Sequence, residues 1–214
     1  MVKKVLDKGV YTFRNKFMYK NDPPIILAGL GRCGTTLTTN AIRKTRGYSY
    51  QFVADINTTP YLNKHIYKTH DYPRIEDFPE NIKVIFMFGN VVDTIISLSK
   101  RMNRYYDSLS QVYHTESMAH AAALHNIDGL KLEELFDAWY RPQNFPMITI
   151  RYETLFSENT QELFSDFLGF KANFPPYKKR TTNQSSYPYL DSVIPTYESL
   201  SRKIELAEDC KIWE

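Results

Sequence analysis

Between Leu27 and Ile42 the chain reads LAGLGRCGTTLTTNAI, an apolar run, a glycine-rich turn and a segment opened by two threonines. Gly29, Gly31 and Gly34 let a backbone turn tightly and approach a ligand closely. Arg32 adds a planar, permanent cation, and Thr35 and Thr36 add hydroxyls. The first N–H groups of a helix have no intrahelical partner, and with the helix dipole they bind anions. The chemistry expected here is therefore the holding of an anion. The nucleoside-triphosphate loop pattern G-x-x-x-x-G-K-[ST] is not met, because Thr35 stands where its lysine belongs. The plainer alternative is a tight strand-to-helix turn capped by a threonine.

Two further segments carry reactive side chains. In YKTHDYP (67–73), a strand conformation points Lys68 and His70 the same way. A neighbouring ammonium disfavours the imidazolium, which leaves His70 a base near neutral pH. A solvated lysine and a turn-capping histidine are the alternative. In FMFGNVVDTIISLSKR (86–101), Asn90 is placed to cap a helix with Asp93 at its third position. Ser97 follows one turn later on the face of Asp93.

These residues need strands to carry them. Branched and aromatic runs at 25–30, 48–53, 65–70, 83–89 and 147–153 predict strands. Helices are expected over about Thr35–Lys44, from residue 90 onward, near 110–126 and 131–140, over 158–170 with a terminal Gly169, and near 197–208. Strands alternating with helices predict an α/β three-layer, P-loop-like domain with a mostly parallel sheet. One domain over 1–214 is expected, with a lead-in at 1–24 and a polar loop plus short helix at 171–214. Ligands of such sheets sit at the carboxyl ends of the strands. The places to inspect follow Leu30, Tyr67, Phe88 and Arg151.

The 214 residues carry a formal charge of +3, compatible with a small anionic ligand and lacking the concentrated basic stripe of a nucleic-acid binder. Cys33 and Cys210 make no disulfide framework, so a reducing, cytoplasmic setting is expected. The N-terminal segment has no apolar h-region, and no apolar run approaches the ~20 residues of a membrane span. No carboxylate or His/Cys cluster shows ligand spacing, so no metal is expected. His114, His120 and His125 read as helix surface or packing, Asp55 as a solvated turn residue, and Cys33 as a reactive thiol or a small loop filler. Aromatic residues between Tyr105 and Tyr113 read as a lid over a ligand or as core.

Taken together, the segments resemble the sulfotransferases that use 3′-phosphoadenosine 5′-phosphosulfate (PAPS) and release 3′-phosphoadenosine 5′-phosphate (PAP). That family has [KR]-S-G-T-T after a strand, which binds the 5′-phosphosulfate; RCGTT (32–36) is similar, with Cys33 in the serine position. Its cytosolic branch has K-T-H-x-P, which supplies a catalytic lysine and histidine; KTHDYP keeps Lys68, Thr69 and His70 with the proline one residue late. Its 3′-phosphate motif R-[ND]-x-x-D-x-x-x-S resembles GNVVDTIIS, which keeps Asn90, Asp93 and Ser97. RYETLFSENTQELFSDFLGF matches a later strand and helix whose tyrosine, here Tyr152, lies near the adenine. The resemblance covers roughly residues 25–170, in the family's order.

The resemblance implies sulfuryl transfer from PAPS to a hydroxyl or amine of a small-molecule or carbohydrate acceptor, without a metal. His70, Lys68 and Arg32 are the implied catalytic residues. Arg32, Cys33, Gly34, Thr35, Thr36, Leu37, Asn90, Ser97 and Tyr152 are the implied donor-binding residues. One departure stands out: Gly89 occupies the place of the 3′-phosphate arginine. A hydrogen bond to a charged group contributes about 1.5–3 kcal/mol, so its loss implies donor binding roughly tenfold weaker or more. Arg101, Lys178, Lys179 and Arg180 are possible replacements, and the position of KKRTTN favours Arg180 with Thr182. The competing functions are a nucleotide-dependent kinase, which would have to manage without the loop lysine, and a non-catalytic PAP-binding module, which Gly89 keeps open.

Overall fold

Ile25–Gly29 forms β1, and all five of its residues are buried. A strand covered by layers on both faces needs such an unbroken apolar run. It pairs in parallel with β3 (His65–Thr69) on one side and β4 (Lys83–Phe88) on the other. These belong to a six-stranded sheet in the order β2-β3-β1-β4-β5-β6, with β2 at Ser49–Phe52, β5 at Met147–Arg151 and β6 at Cys210–Trp213. Five strands run parallel, and β6 pairs antiparallel with β5. The computed structural model describes residues 22–56, 59–73, 78, 80–100, 124–177 and 184–213.

Helices flank the sheet, in the α/β arrangement expected. α1 (Thr35–Arg46) follows β1, and α2, over 91–100, follows β4. α3 (Leu132–Trp139) precedes β5, and α4 (Glu158–Leu168) comes after it. Ser157 Oγ accepts from the Thr160 amide at the start of α4. At its end Gly169 takes φ 78°, a left-handed cap that glycine adopts without a Cβ penalty. One side of the core stacks Phe86 on Trp139, ring centroids 6.0 Å apart, with Phe88 edge-on to Phe136 at 5.5 Å.

Three features differ from the sequence expectations. The cap of α1 is Gly34, with no side-chain cap bond, rather than a threonine. Leu190–Thr196 forms a helix, α5, that the sequence reading does not expect, ahead of the closing helix expected near 197–208, which is α6 (Glu198–Leu206). Pro195 lies inside α5, a residue that discouraged a helical reading there. Residues 210–213, for which no element is expected, then extend the sheet as β6. Their pairing is tertiary, with Thr149 opposite Lys211, so no local pattern announces it. The helix expected near 110–126 lies mostly outside the described residues, as do the Tyr105–Tyr113 segment, Arg101, His114, His120 and residues 1–21 of the lead-in.

Candidate functional site

β3, β1, β4 and β5 are consecutive neighbours and all run the same way, so the four reactive segments emerge along one edge of the sheet. The loop after β1 is tied to β4: the Leu30 amide donates to the Met87 carbonyl at 3.0 Å. A Cβ on Gly29 would stand 2.5 Å from that same carbonyl oxygen, which leaves room for glycine alone. Gly34, at φ 84°, is the second constrained position. A Cβ there would lie 2.4 Å from Cδ2 of Tyr152, so the tyrosine ring at the end of β5 rests on the loop. The amides of Thr35, Thr36 and Leu37 occupy the first turn of α1, where backbone donors have no intrahelical acceptor.

The β3 segment reaches the same loop. Lys68 Nζ donates to Thr36 Oγ1 at 2.8 Å. His70 Nδ1 lies 2.5 Å from the Gly29 carbonyl oxygen. A carbonyl only accepts, so Nδ1 carries the hydrogen and the neutral ring keeps its lone pair on Nε2. Burial pushes the His70 pKa down from 6.5 to about 4; the bond to Gly29 opposes this and the Lys68 charge adds to it. The imidazole is thus neutral at pH 7, but a weaker base than the near-neutral one expected from the sequence. Phe52, at the end of β2, faces it with ring centroids 6.2 Å apart.

Asp71 fixes this segment. Its Oδ2 accepts from the Ile56 amide at 3.0 Å and its Oδ1 from the Tyr72 amide at 2.8 Å. Its own amide donates to Thr69 Oγ1 at 2.9 Å, and its carbonyl accepts from Trp139 Nε1 at 2.9 Å. Two amide donors to the buried carboxylate and two bonds through the Asp71 backbone lock the turn that carries His70. Sequence reading passed over Asp71; an aspartate directly after a strand, where an Asx-turn forms, was the available signal.

On the other flank, Asn90 Oδ1 accepts from the Asp93 amide at 2.9 Å, the cap expected for α2. The Asn90 amide in turn donates to Glu153 Oε1 at 3.1 Å, and Asp93 Oδ1 accepts from Gln184 Nε2 at 2.8 Å. Glu153, which sequence reading did not single out, also lies against Gly89: a Cβ there would meet its carboxylate oxygens at 2.9 and 3.0 Å. A carboxylate therefore neighbours the position where the resembled family has its arginine. Ser97 Oγ accepts from Arg32 Nε at 2.8 Å.

Cys33 is fully buried, with Sγ 3.4 Å from the Gly31 carbonyl oxygen and 3.5 Å from Thr94 Oγ1, so its side chain joins the loop to α2. His125 stacks on Tyr189 at 4.1 Å and its Nε2 is hydrogen-bonded to Tyr187 Oη at 2.6 Å; Tyr187 donates on to Ser99 Oγ at 2.6 Å. Arg180 and Thr182 lie outside the described residues. Among the described residues no group of three or more His, Cys, Asp or Glu side chains is placed to hold a metal ion. Among them, too, no helix is long and apolar enough to cross a membrane.

No protein-family model matches the chain, and no curated protein matches it. Among solved structures it is similar to mouse sulfotransferase SULT7A1 complexed with PAP. The identity is 20% and the TM-score 0.44, over 71% of this chain and 60% of that one. The chain thus spans 60% of the mouse protein's length.

Proposed function

We propose that this chain transfers a sulfuryl group from PAPS to a hydroxyl or amine of a small-molecule or carbohydrate acceptor. The observation that carries the reading is the meeting of Lys68 with Thr36 and of His70 with Gly29, which joins the β3 segment to the anion loop of β1. The first-turn amides of α1 would hold the 5′-phosphate, and the ring of Tyr152, resting on Gly34, would face the nucleoside. Lys68 would neutralise charge on the sulfuryl oxygens and on the departing phosphate.

His70 Nε2 accepts the acceptor's proton. The acceptor oxygen or nitrogen bonds to sulfur while the bond from sulfur to the 5′-phosphate oxygen breaks, leaving its electron pair on the phosphate of PAP. Positioning and fixed electrostatics supply the acceleration, as in phosphoryl transfer, and the scheme needs no metal. A bound dianion beside His70 favours the imidazolium and so offsets the weak basicity that burial imposes. A cytoplasmic setting, where this donor would have to be supplied, belongs to the same proposal.

The test is a calorimetric titration with PAP, paired with turnover of PAPS over an acceptor panel. Binding of PAP with turnover that falls at least a hundredfold in His70→Ala supports the reading. Melting stabilised by ATP–Mg and not by PAP would instead favour a kinase. The non-catalytic reading draws on the Glu153 carboxylate beside Gly89, and PAP binding without transfer to any acceptor would favour it.

A further inference from the structure

Two cation–hydroxyl pairs stand on opposite sides of β1. Lys68, on β3, donates to Thr36 at the start of α1. Arg32, in the loop after β1, donates to Ser97 on α2, which follows β4. β3 and β4 are the two neighbours of β1, so the pairs flank the loop from opposite directions. An arginine contributes five donor N–H groups in a planar fork; the Nε bond to Ser97, at 2.8 Å, holds that fork beside the serine hydroxyl.

The loop backbone at Arg32 is constrained. Arg32 has φ 64°, the left-handed region that a side-chain-bearing residue occupies at a cost of roughly 1–2 kcal/mol. Such strain persists where the surroundings hold it, and here the loop is held by the Leu30 amide on Met87 and by buried Cys33 against Thr94. From that loop the Arg32 side chain reaches Ser97 on α2. Sequence reasoning placed Arg32 with Lys68 at the sulfuryl end; its bond to Ser97 lies at the other flank.

We infer that Arg32 supplies the cation missing at Gly89, so that Arg32 and Ser97 together receive the 3′-phosphate of the donor. This rests on the donor reading above and adds to it: a ligand spanning both flanks carries two anionic groups, one for each cation. The substitution is long-range, since Arg32 and Ser97 are 65 positions apart. It also separates two roles, with Lys68 serving the reacting end and Arg32 the specificity for a bisphosphorylated nucleotide.

The test compares two nucleotides that differ only in the 3′-phosphate. Calorimetry measures PAP and adenosine 5′-phosphate on the full chain, its Arg32→Met, Ser97→Ala and Lys68→Met variants, each checked for native circular dichroism. The wild type is expected to bind PAP at least tenfold tighter than adenosine 5′-phosphate. Arg32→Met is expected to remove about tenfold of that preference with the adenosine 5′-phosphate affinity within about twofold of wild type, since a charge-assisted bond is lost at one phosphate alone. Ser97→Ala is expected to narrow the preference by less, and Lys68→Met to weaken both ligands together. Equal losses for both nucleotides in Arg32→Met would assign Arg32 to the 5′ end and overturn the inference, as would an undiminished preference. Wild-type protein that binds neither nucleotide would remove the donor reading itself, and the inference with it. If Arg32→Met does not fold, Arg32→Lys gives the same comparison, with a compact point charge in place of the fork and a partial loss of preference.

Discussion

His70 Nδ1 is hydrogen-bonded to the carbonyl oxygen of Gly29, 41 positions earlier, at 2.5 Å. One contact thus fixes the tautomer of the candidate base and seats it on the loop that would hold the anion. The same burial that makes the contact drives the His70 pKa down to about 4.

That shift makes stability depend on pH. Because the folded pKa lies below the ordinary 6.5, the unfolded chain binds more protons between about pH 6.5 and 4. Stability is therefore present above this window and is lost as pH falls through it. His65 and His125, also pushed down by burial, act in the same direction. In urea titrations from pH 7 to 4, His70→Asn is expected to show a shallower acid loss than wild type. An unchanged slope would contradict the buried neutral imidazole. Saturating PAP is expected to raise the His70 pKa, read from its imidazole proton shifts by NMR.

Gly34→Ala puts a methyl group into the ring of Tyr152 and into a left-handed backbone at the same time. The backbone alone costs about 1–2 kcal/mol, and the clash adds to it. Combining it with Tyr152→Ala is expected to recover the clash component only. A double-mutant cycle by urea denaturation reads the coupling; additive effects would mean that the ring does not bear on Gly34.

Asp71→Ala strips the Ile56 and Tyr72 amides of their carboxylate acceptor. Bonds to a charged group contribute about 1.5–3 kcal/mol each, and water can replace part of that. The variant is expected to lose about 2 kcal/mol or more, seen as a lower urea midpoint at constant slope. Turnover is expected to fall further than the unfolded fraction explains, because the turn carrying His70 loosens.

Lys68→Met keeps most of the stem and removes the charge that Thr36 accepts from. PAP affinity is expected to drop about tenfold or more by calorimetry, in line with one charge-assisted bond. Turnover is expected to fall further, since charge grows on the leaving phosphate only as the bond to sulfur breaks. Equal losses in affinity and turnover would limit Lys68 to ground-state binding.

Local pattern alone determined a good deal. The apolar runs at Ile25–Gly29 and Lys83–Phe88 marked central strands, because a strand buried on both faces needs unbroken hydrophobicity. The glycine spacing marked the loop, and Asn90 marked the start of α2, because turns and caps are built from neighbours in sequence. The strand order and β6 came from the tertiary fold. So did the seats of Asp71 and Glu153, the depth of the His70 pKa shift and the turning of Arg32 toward Ser97. Most of these depend on groups distant in sequence meeting in the fold, and charge, burial and hydrogen bonding act through space rather than along the chain.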